Sequence, residues 1–276
     1  MGWLGRLCLH YRRDGERTTA VDRHEGPMRV LQALYPEGPG VCHHVLVHPP
    51  GGIVGGDTLR IEARLDAQTH ALVTTPGAAR YYRSAGAPAE QTVLLDVAEG
   101  ARLEWLPLET IAYSGCHVRN HVGFNLHADA QMIGWDVLAL GLPATGQAFD
   151  DGLFEQHLEW PGVWLERGRI AAGDRRLLDS PLGLAGHRVV ATMWFASGRV
   201  LDPAMSTALL EAARSLAQAS PLSATCGATA LNERVVVVRL LAHRTEPAMQ
   251  LWQHIRAAWR EVAWERAPCA PRIWST

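Results

Sequence analysis

Leu65-Asp66-Ala67-Gln68-Thr69-His70-Ala71-Leu72-Val73 is an apolar run, a short polar turn and a second apolar run, and the same order returns twice downstream. Val97-Ala98-Glu99-Gly100-Ala101-Arg102-Leu103-Glu104-Trp105 and Leu126-His127-Ala128-Asp129-Ala130-Gln131-Met132-Ile133-Gly134-Trp135 follow at a spacing of about 30 residues, the range of stacked β-units and solenoids. Each unit reads as two strands joined as a hairpin, with one apolar face left to bury against the next unit. A stacked body follows, β-helical or two-layered.

Outward from the repeat, further strands are predicted over 4–11, 18–24, 28–34 and 41–47 before it and over 152–160, 163–171 and 187–196 after it. Arg12-Arg13-Asp14-Gly15, Glu25-Gly26-Pro27 and Trp160-Pro161-Gly162-Val163 supply the turns. The period then changes. Asp202-Pro203 is a capping carboxylate followed by a first-turn proline, and 204–219 carries Leu209, Leu210, Ala213 and Leu216 on one helical stripe. A hairpin is expected around Asn232-Glu233. Glu246-Pro247 then opens a second helix to Trp264, with Leu251, Ile255, Ala258, Trp259 and Val262 three or four residues apart. No linker interrupts the chain, so residues 1–276 read as a single domain.

With 276 residues, 47% hydrophobic and 20% charged at a net charge of -2, the chain can bury a large core and carries no nucleic-acid footprint. Its basic residues are all arginine. Five widely spaced cysteines form no Cys-x-x-Cys pair, which argues against a disulfide framework and for a reducing cytoplasm. Neither an export signal over 1–13 nor an apolar run of membrane-spanning length is read, so no membrane partner is expected.

The most constrained segment lies just before the repeat: Val47-His48-Pro49-Pro50-Gly51-Gly52-Ile53-Val54-Gly55-Gly56-Asp57. Paired prolines fix φ, while glycines permit positive φ and close backbone approach, so this loop follows a cramped, defined path. It is not a phosphate loop, because Gly-Lys-Ser/Thr is missing and the following residues alternate as a strand. No Gly-x-Ser-x-Gly elbow, His-Glu-x-x-His or dinucleotide fingerprint is found. Among thirteen histidines, His44 with His48 and His117 with His121 share strand faces, but four residues along a strand is too far for one ion. Cys42-His43 and Cys116-His117 place thiol and imidazole on opposite faces, which excludes nucleophile–base pairs.

His48 to Asp57 resembles a signature of the UreD (UreH) urease accessory proteins. Thr74-Thr75-Pro76-Gly77-Ala78-Ala79-Arg80-Tyr81-Tyr82-Arg83-Ser84 is similar to that family's second block, and Leu103-Glu104-Trp105-Leu106-Pro107-Leu108-Glu109-Thr110-Ile111 to its third. Trp135-Asp136, Leu140-Gly141-Leu142-Pro143 and Gly146 resemble a fourth, and Pro271-Arg272-Ile273-Trp274 the family's end. Leu108, Leu142, Gln147 and Arg80 depart from the family pattern, which usually has glutamine, arginine, glutamate and lysine there.

The resemblance implies a mainly β fold: a stacked, helically wound two-layer β structure with two α-helices near the C-terminal end. It implies a non-enzymatic, cytoplasmic chaperone that binds the urease apoprotein together with a helical accessory protein (UreF-type) and an accessory GTPase (UreG-type). Nickel is then a transient cargo rather than a permanent cofactor. Asp57, Ser84, Glu109 and Asp136 are the candidate oxygen donors of a nickel passage, and weak donors suit a conduit that must release what it binds. His48, Pro49, Pro50, Gly51, Gly52, Gly55 and Gly56 form the motif loop. Tyr81, Tyr82 and Arg83 are candidate partner contacts, and alternation turns one tyrosine inward and the other outward. Two further readings are kept: a structural adaptor that never touches nickel, and a small-molecule enzyme on a β scaffold.

Overall fold

The three repeat units do not close as hairpins. In the computed structural model, which describes residues 2–275, each unit passes from one β-sheet into another. Its first strand (Thr58–Leu65, Ala89–Val97, Cys116–Leu126) lies in a seven-stranded sheet and its second (His70–Thr74, Arg102–Leu106, Gln131–Leu140) in a ten-stranded one. Successive units stack in parallel and in register: Leu65 pairs with Val97 and Val97 with Leu126, while Arg102 pairs with both His70 and Gln131.

The corners explain the crossing. Gln68, Gly100 and Asp129 occupy equivalent turn positions and all take positive φ, at 59°, 65° and 58°. Each corner closes with a bond from residue i+3 to residue i, as when Ala101 N–H donates to Ala98 O at 3.0 Å. Corners also bond to one another, Gln68 N–H to Glu99 O at 3.1 Å and Gly100 N–H to Ala128 O at 3.2 Å. The backbone groups a hairpin would have satisfied within a unit are thus satisfied between units.

The seven-stranded sheet runs Trp164–Ala171, Gly152–Trp160, Cys116–Leu126, Ala89–Val97, Thr58–Leu65, Leu4–Asp14 and Arg17–Glu25. The ten-stranded sheet runs Cys226–Asn232, Val235–Ala242, Val189–Ser197, Gln131–Leu140, Arg102–Leu106, His70–Thr74, Val41–Val47 and Arg29–Val30, with Thr110–Ala112 and Ala79–Tyr81 alongside. The strand expected over 28–34 shrinks to Arg29–Val30 and an isolated bridge from Leu34 to His43. The hairpin at Asn232-Glu233 forms.

Among the described residues three α-helices occur: α1 (Arg175–Asp179), α2 (Pro203–Gln218) and α3 (Thr245–Trp264). The sequence reading finds the two long ones and misses α1, a single turn capped by Asp174. Asp202 caps α2 as expected, accepting from Ala204 N–H at 2.8 Å. Among the described residues no helix is long and apolar enough to cross a membrane. One apolar core lies between the sheets, and a second lies where α2 and α3 cover the ten-stranded sheet.

Alternation in Arg102–Leu106 sends Leu103 and Trp105 into the first core and Glu104 toward α3. There Arg256 Nε donates to Glu104 Oε2 at 2.6 Å, and Arg260 and His70 Nε2 reach Oε1 at 2.8 and 3.0 Å. Burial alone would raise the Glu104 carboxyl. Arg256, His70 and Arg260 outweigh it and hold the group well below the usual carboxylate range. Glu37 completes the network through Arg260 and through His43 Nε2 at 2.7 Å.

Candidate functional site

Asp136 sits in the strand Gln131–Leu140, whose odd positions Ile133, Trp135 and Val137 meet the helices. Met132, Asp136 and Leu138 therefore face the opposite sheet. A cavity of about 260 Å³ lies there, bounded by Asp136, His48, Gly51, Gly52, Pro76, Arg80, Pro107, Leu108, Gln91 and Asn120 among others. All four sequence blocks contribute to it. They lie on successive coils, and parallel stacking brings residues roughly 30 apart to the same level of the structure.

The seven-stranded sheet presents the amides of Gln91 and Asn120 to this space. Gln91, Asn120 and Gln156 occupy matched positions on three adjacent strands. Gln91 Nε2 donates to Asn120 Oδ1 at 3.0 Å, and Asn120 Nδ2 to Gln156 Oε1 at 2.9 Å. Asp136 keeps some accessible surface because it faces the cavity, yet protein encloses the carboxyl itself. Burial pushes it up to about 7; repulsion from Glu166 adds to this, and a hydrogen bond from Gln156 offsets part. A carboxyl so placed holds its proton to a higher pH than an exposed one. The rest of the wall is mostly apolar, with polar groups from Gln91, Asn120, Thr75, Thr110 and His48 and one cation, Arg80.

Around the cavity mouth the motif loop is held by close contacts. Gly51 N–H donates to His48 O at 3.2 Å, closing a turn over Pro49-Pro50 with Gly51 at φ 76°. A Cβ on Gly52 would lie 2.0 Å from Tyr82 Cε2, and one on Gly55 would lie 2.4 Å from Ala87 O. Gly56 takes φ 93° and bonds to Pro88 O at 2.9 Å. Ile53 ties this loop to the second block, donating to Arg80 O and accepting from Tyr82 N–H, both at 2.8 Å. The third block follows suit: Leu108 N–H donates to Thr75 Oγ1 at 2.9 Å, and Trp135 Nε1 to Pro107 O at 2.6 Å. The chain's end belongs to the same assembly, since Trp274 Nε1 donates to Thr74 Oγ1 at 2.9 Å.

The four candidate passage residues are not gathered. Only Asp136 lines the cavity. The Asp57 carboxylate accepts from Val54 N–H at 3.0 Å and Trp3 N–H at 3.4 Å, a staple for the loop. Ser84 Oγ accepts from His117 N–H at 3.0 Å and fixes the start of Cys116–Leu126. Glu109 lies between the cavity residues Leu108 and Thr110 without lining the space itself. Tyr81 is corrected as a partner contact: it is fully buried, edge-on to Phe154. Tyr82 is the outward tyrosine, half-buried against Tyr113 with ring centroids 4.8 Å apart, and Arg83 is exposed.

Sequence reasoning missed the amide row, whose members lie 29 and 36 residues apart and carry no local signature. His48 lines the cavity with a buried, unpartnered Nε2, and burial lowers its pKa against the pull of Asp57. The Cys42 and Cys116 thiols are buried in the inter-sheet core, which pushes them up to about 11 and about 12, far from nucleophilic thiolates.

The fold defines the class: a coiled two-sheet β body whose sequence blocks converge on a partly open cavity between the sheets. Residues 4–275 match the model of the UreD urease accessory protein family. The urease accessory protein UreD of Leptothrix cholodnii is 59% identical, with both chains covered over their full length. Those of Paracidovorax citrulli and Polaromonas sp. strain JS666 are 54% and 53% identical, again over the whole of each chain. The chain belongs to the UreD urease accessory protein family.

Proposed function

We propose that this chain is a non-catalytic, cytoplasmic chaperone of urease maturation that passes nickel toward the apoprotein through the cavity between its sheets. It works in a complex with the urease apoprotein, a UreF-type helical protein and a UreG-type GTPase, which supplies the nucleotide chemistry. The observation that carries this reading is the convergence of all four sequence blocks on a cavity whose single carboxylate, Asp136, is poised near neutral pH. One buried carboxylate with amide neighbours gives weak coordination, which favours release. The motif loop shapes the mouth, and Asp57 and Ser84 keep it in place.

The test is the nickel content and activity of urease purified from cells expressing the complete gene set, with and without this chain, at limiting nickel. Nickel-poor urease only in its absence supports the chaperone; full loading without it refutes the reading. A structural adaptor draws its support from Asp57 and Ser84, both committed to backbone bonds. Asp136→Asn separates the two, because an adaptor keeps nickel delivery and a conduit loses it while complexes still form.

A further inference from the structure

His121 and His157 are 36 residues apart in sequence and direct neighbours in space. Their strands, Cys116–Leu126 and Gly152–Trp160, run parallel, and the register sets His121 opposite His157. Both project from the outer face of the seven-stranded sheet, opposite the face that carries Asn120 and Val122 inward. Glu159, two residues beyond His157, shares that face. The imidazole centroids lie 4.5 Å apart, and His157 Nε2 is 2.9 Å from Glu159 Oε2. One ligand atom from each residue falls within 4.8 Å of the other two, which among the described residues is the one such group of three His, Cys, Asp or Glu side chains.

Donors that share a transition-metal ion at about 2.1 Å stand roughly 3.0–3.4 Å from each other, so His157 and Glu159 are already at ligand spacing. Closing the third side takes a side-chain rotation of His121, with the strand backbone unmoved. Two further features favour an ion. His121 Nε2 is buried without a hydrogen-bond partner, an uncompensated desolvation that a metal would relieve. Gly123, opposite Glu159, leaves room beside that atom, since a Cβ there would lie 3.4 Å from His121 Nε2.

We propose that His121, His157 and Glu159 form a divalent transition-metal site on the outer face of the seven-stranded sheet, separate from the internal cavity. Two imidazole nitrogens and one carboxylate select nickel, zinc, cobalt or copper over magnesium and calcium. Three protein donors on one side leave the remaining positions to water, so the ion exchanges freely. Arg119 is neutralised by Glu90 and Glu155, whereas Arg167 lies opposite His157 with no carboxylate bond and weakens the site. A loading or holding site of modest affinity results, and it stands whether or not the cavity conducts nickel.

The purified full-length chain is titrated with nickel alone, then with zinc and magnesium, against a competing chromogenic chelator. Wild type is expected to bind one nickel equivalent that His121→Ala and His157→Ala each weaken by about tenfold or more and the double variant abolishes. His121→Gln, which keeps side-chain volume and polarity, guards against a folding artefact, with thermal midpoints in metal-free buffer as the control. Copper bound in place of nickel should give two imidazole nitrogen hyperfine couplings in wild type and one in either single variant. Equal nickel binding by wild type and the double variant, or magnesium binding as tight as nickel, overturns the site. Because no urease is present, failure here is distinct from failure of nickel delivery through Asp136.

Discussion

Asp136→Asn should stabilise this protein while removing its function, a combination that only a functional residue with a high burial cost produces. The carboxyl is shifted from 3.8 to about 7 on folding, roughly three pH units. At 1.36 kcal/mol per unit, ionising it in the folded state costs about 4 kcal/mol once the pH exceeds 7, and solvent in the cavity trims that to about 2–4 kcal/mol. The sign follows from proton counts. Between pH 3.8 and 7 the folded state holds a proton that the unfolded state has released, so this group's contribution falls as pH rises and is fully present only below 3.8. Asparagine removes that dependence. Urea denaturation of both proteins from pH 4 to pH 8 should show no gain at pH 4 and a midpoint raised by about 1 M at pH 8, taking m near 3 kcal/mol/M. Other titrating groups are common to both proteins and cancel in the difference. In cells at limiting nickel the same variant should assemble complexes but deliver less nickel. A loss of stability at pH 8, or a difference that ignores pH, would refute the buried carboxyl, and full nickel delivery would refute its role.

Glu104→Gln should lower stability by about 3–5 kcal/mol, because it leaves the buried Arg256 without a carboxylate and Arg260 with Glu37 alone. At about 2 °C per kcal/mol for a chain of this size, calorimetry should show the midpoint falling by about 6–10 °C, and Glu37→Gln should cost less because Glu104 still holds Arg260. His44, buried with its Nδ1 hydrogen-bonded to the Tyr11 hydroxyl at 2.9 Å, is lowered from 6.5 to about 4 by burial, so its share of stability is present above pH 6.5 and lost as pH falls to about 4. That share is about 3 kcal/mol, and a matched urea series on His44→Gln should flatten this acid limb. Gly52→Ala should destabilise the motif loop by about 1–3 kcal/mol through the Tyr82 ring, with chemical denaturation showing partial recovery in Gly52→Ala/Tyr82→Ala.

Of the cavity, the sequence exposed its rim. Pro49, Pro50 and the glycines around Ile53 are legible because a cramped backbone demands those residue types, and the positive φ at Gly51 and Gly56 and the approach of Tyr82 to Gly52 bear out that demand. The wall was not legible. Gln91, Asn120 and Gln156 are ordinary amides on separate strands, and only the inter-coil register makes them a row. His121 shows the same limit, since its neighbour on the shared face in sequence was His117, while its neighbour in space is His157.

Alternating apolar residues, turn residues at a fixed interval, a capped α2 and a striped α3 follow from the sequence alone, because each depends on residues within a few positions of one another. Whether a strand–turn–strand unit folds back as a hairpin or crosses between sheets does not, because both satisfy the same local pattern. The choice fell to the neighbouring coils, which supply the corner-to-corner bonds at Gln68 and Gly100. Arg256 and Arg260 teach the same thing from a helix: by composition they belong on its solvent face, yet both are buried. Their charges are tolerated there because Glu104, more than 150 residues earlier, meets them across the second core. Local periodicity sets what each segment can become, and long-range pairing of backbone and charge decides which faces meet.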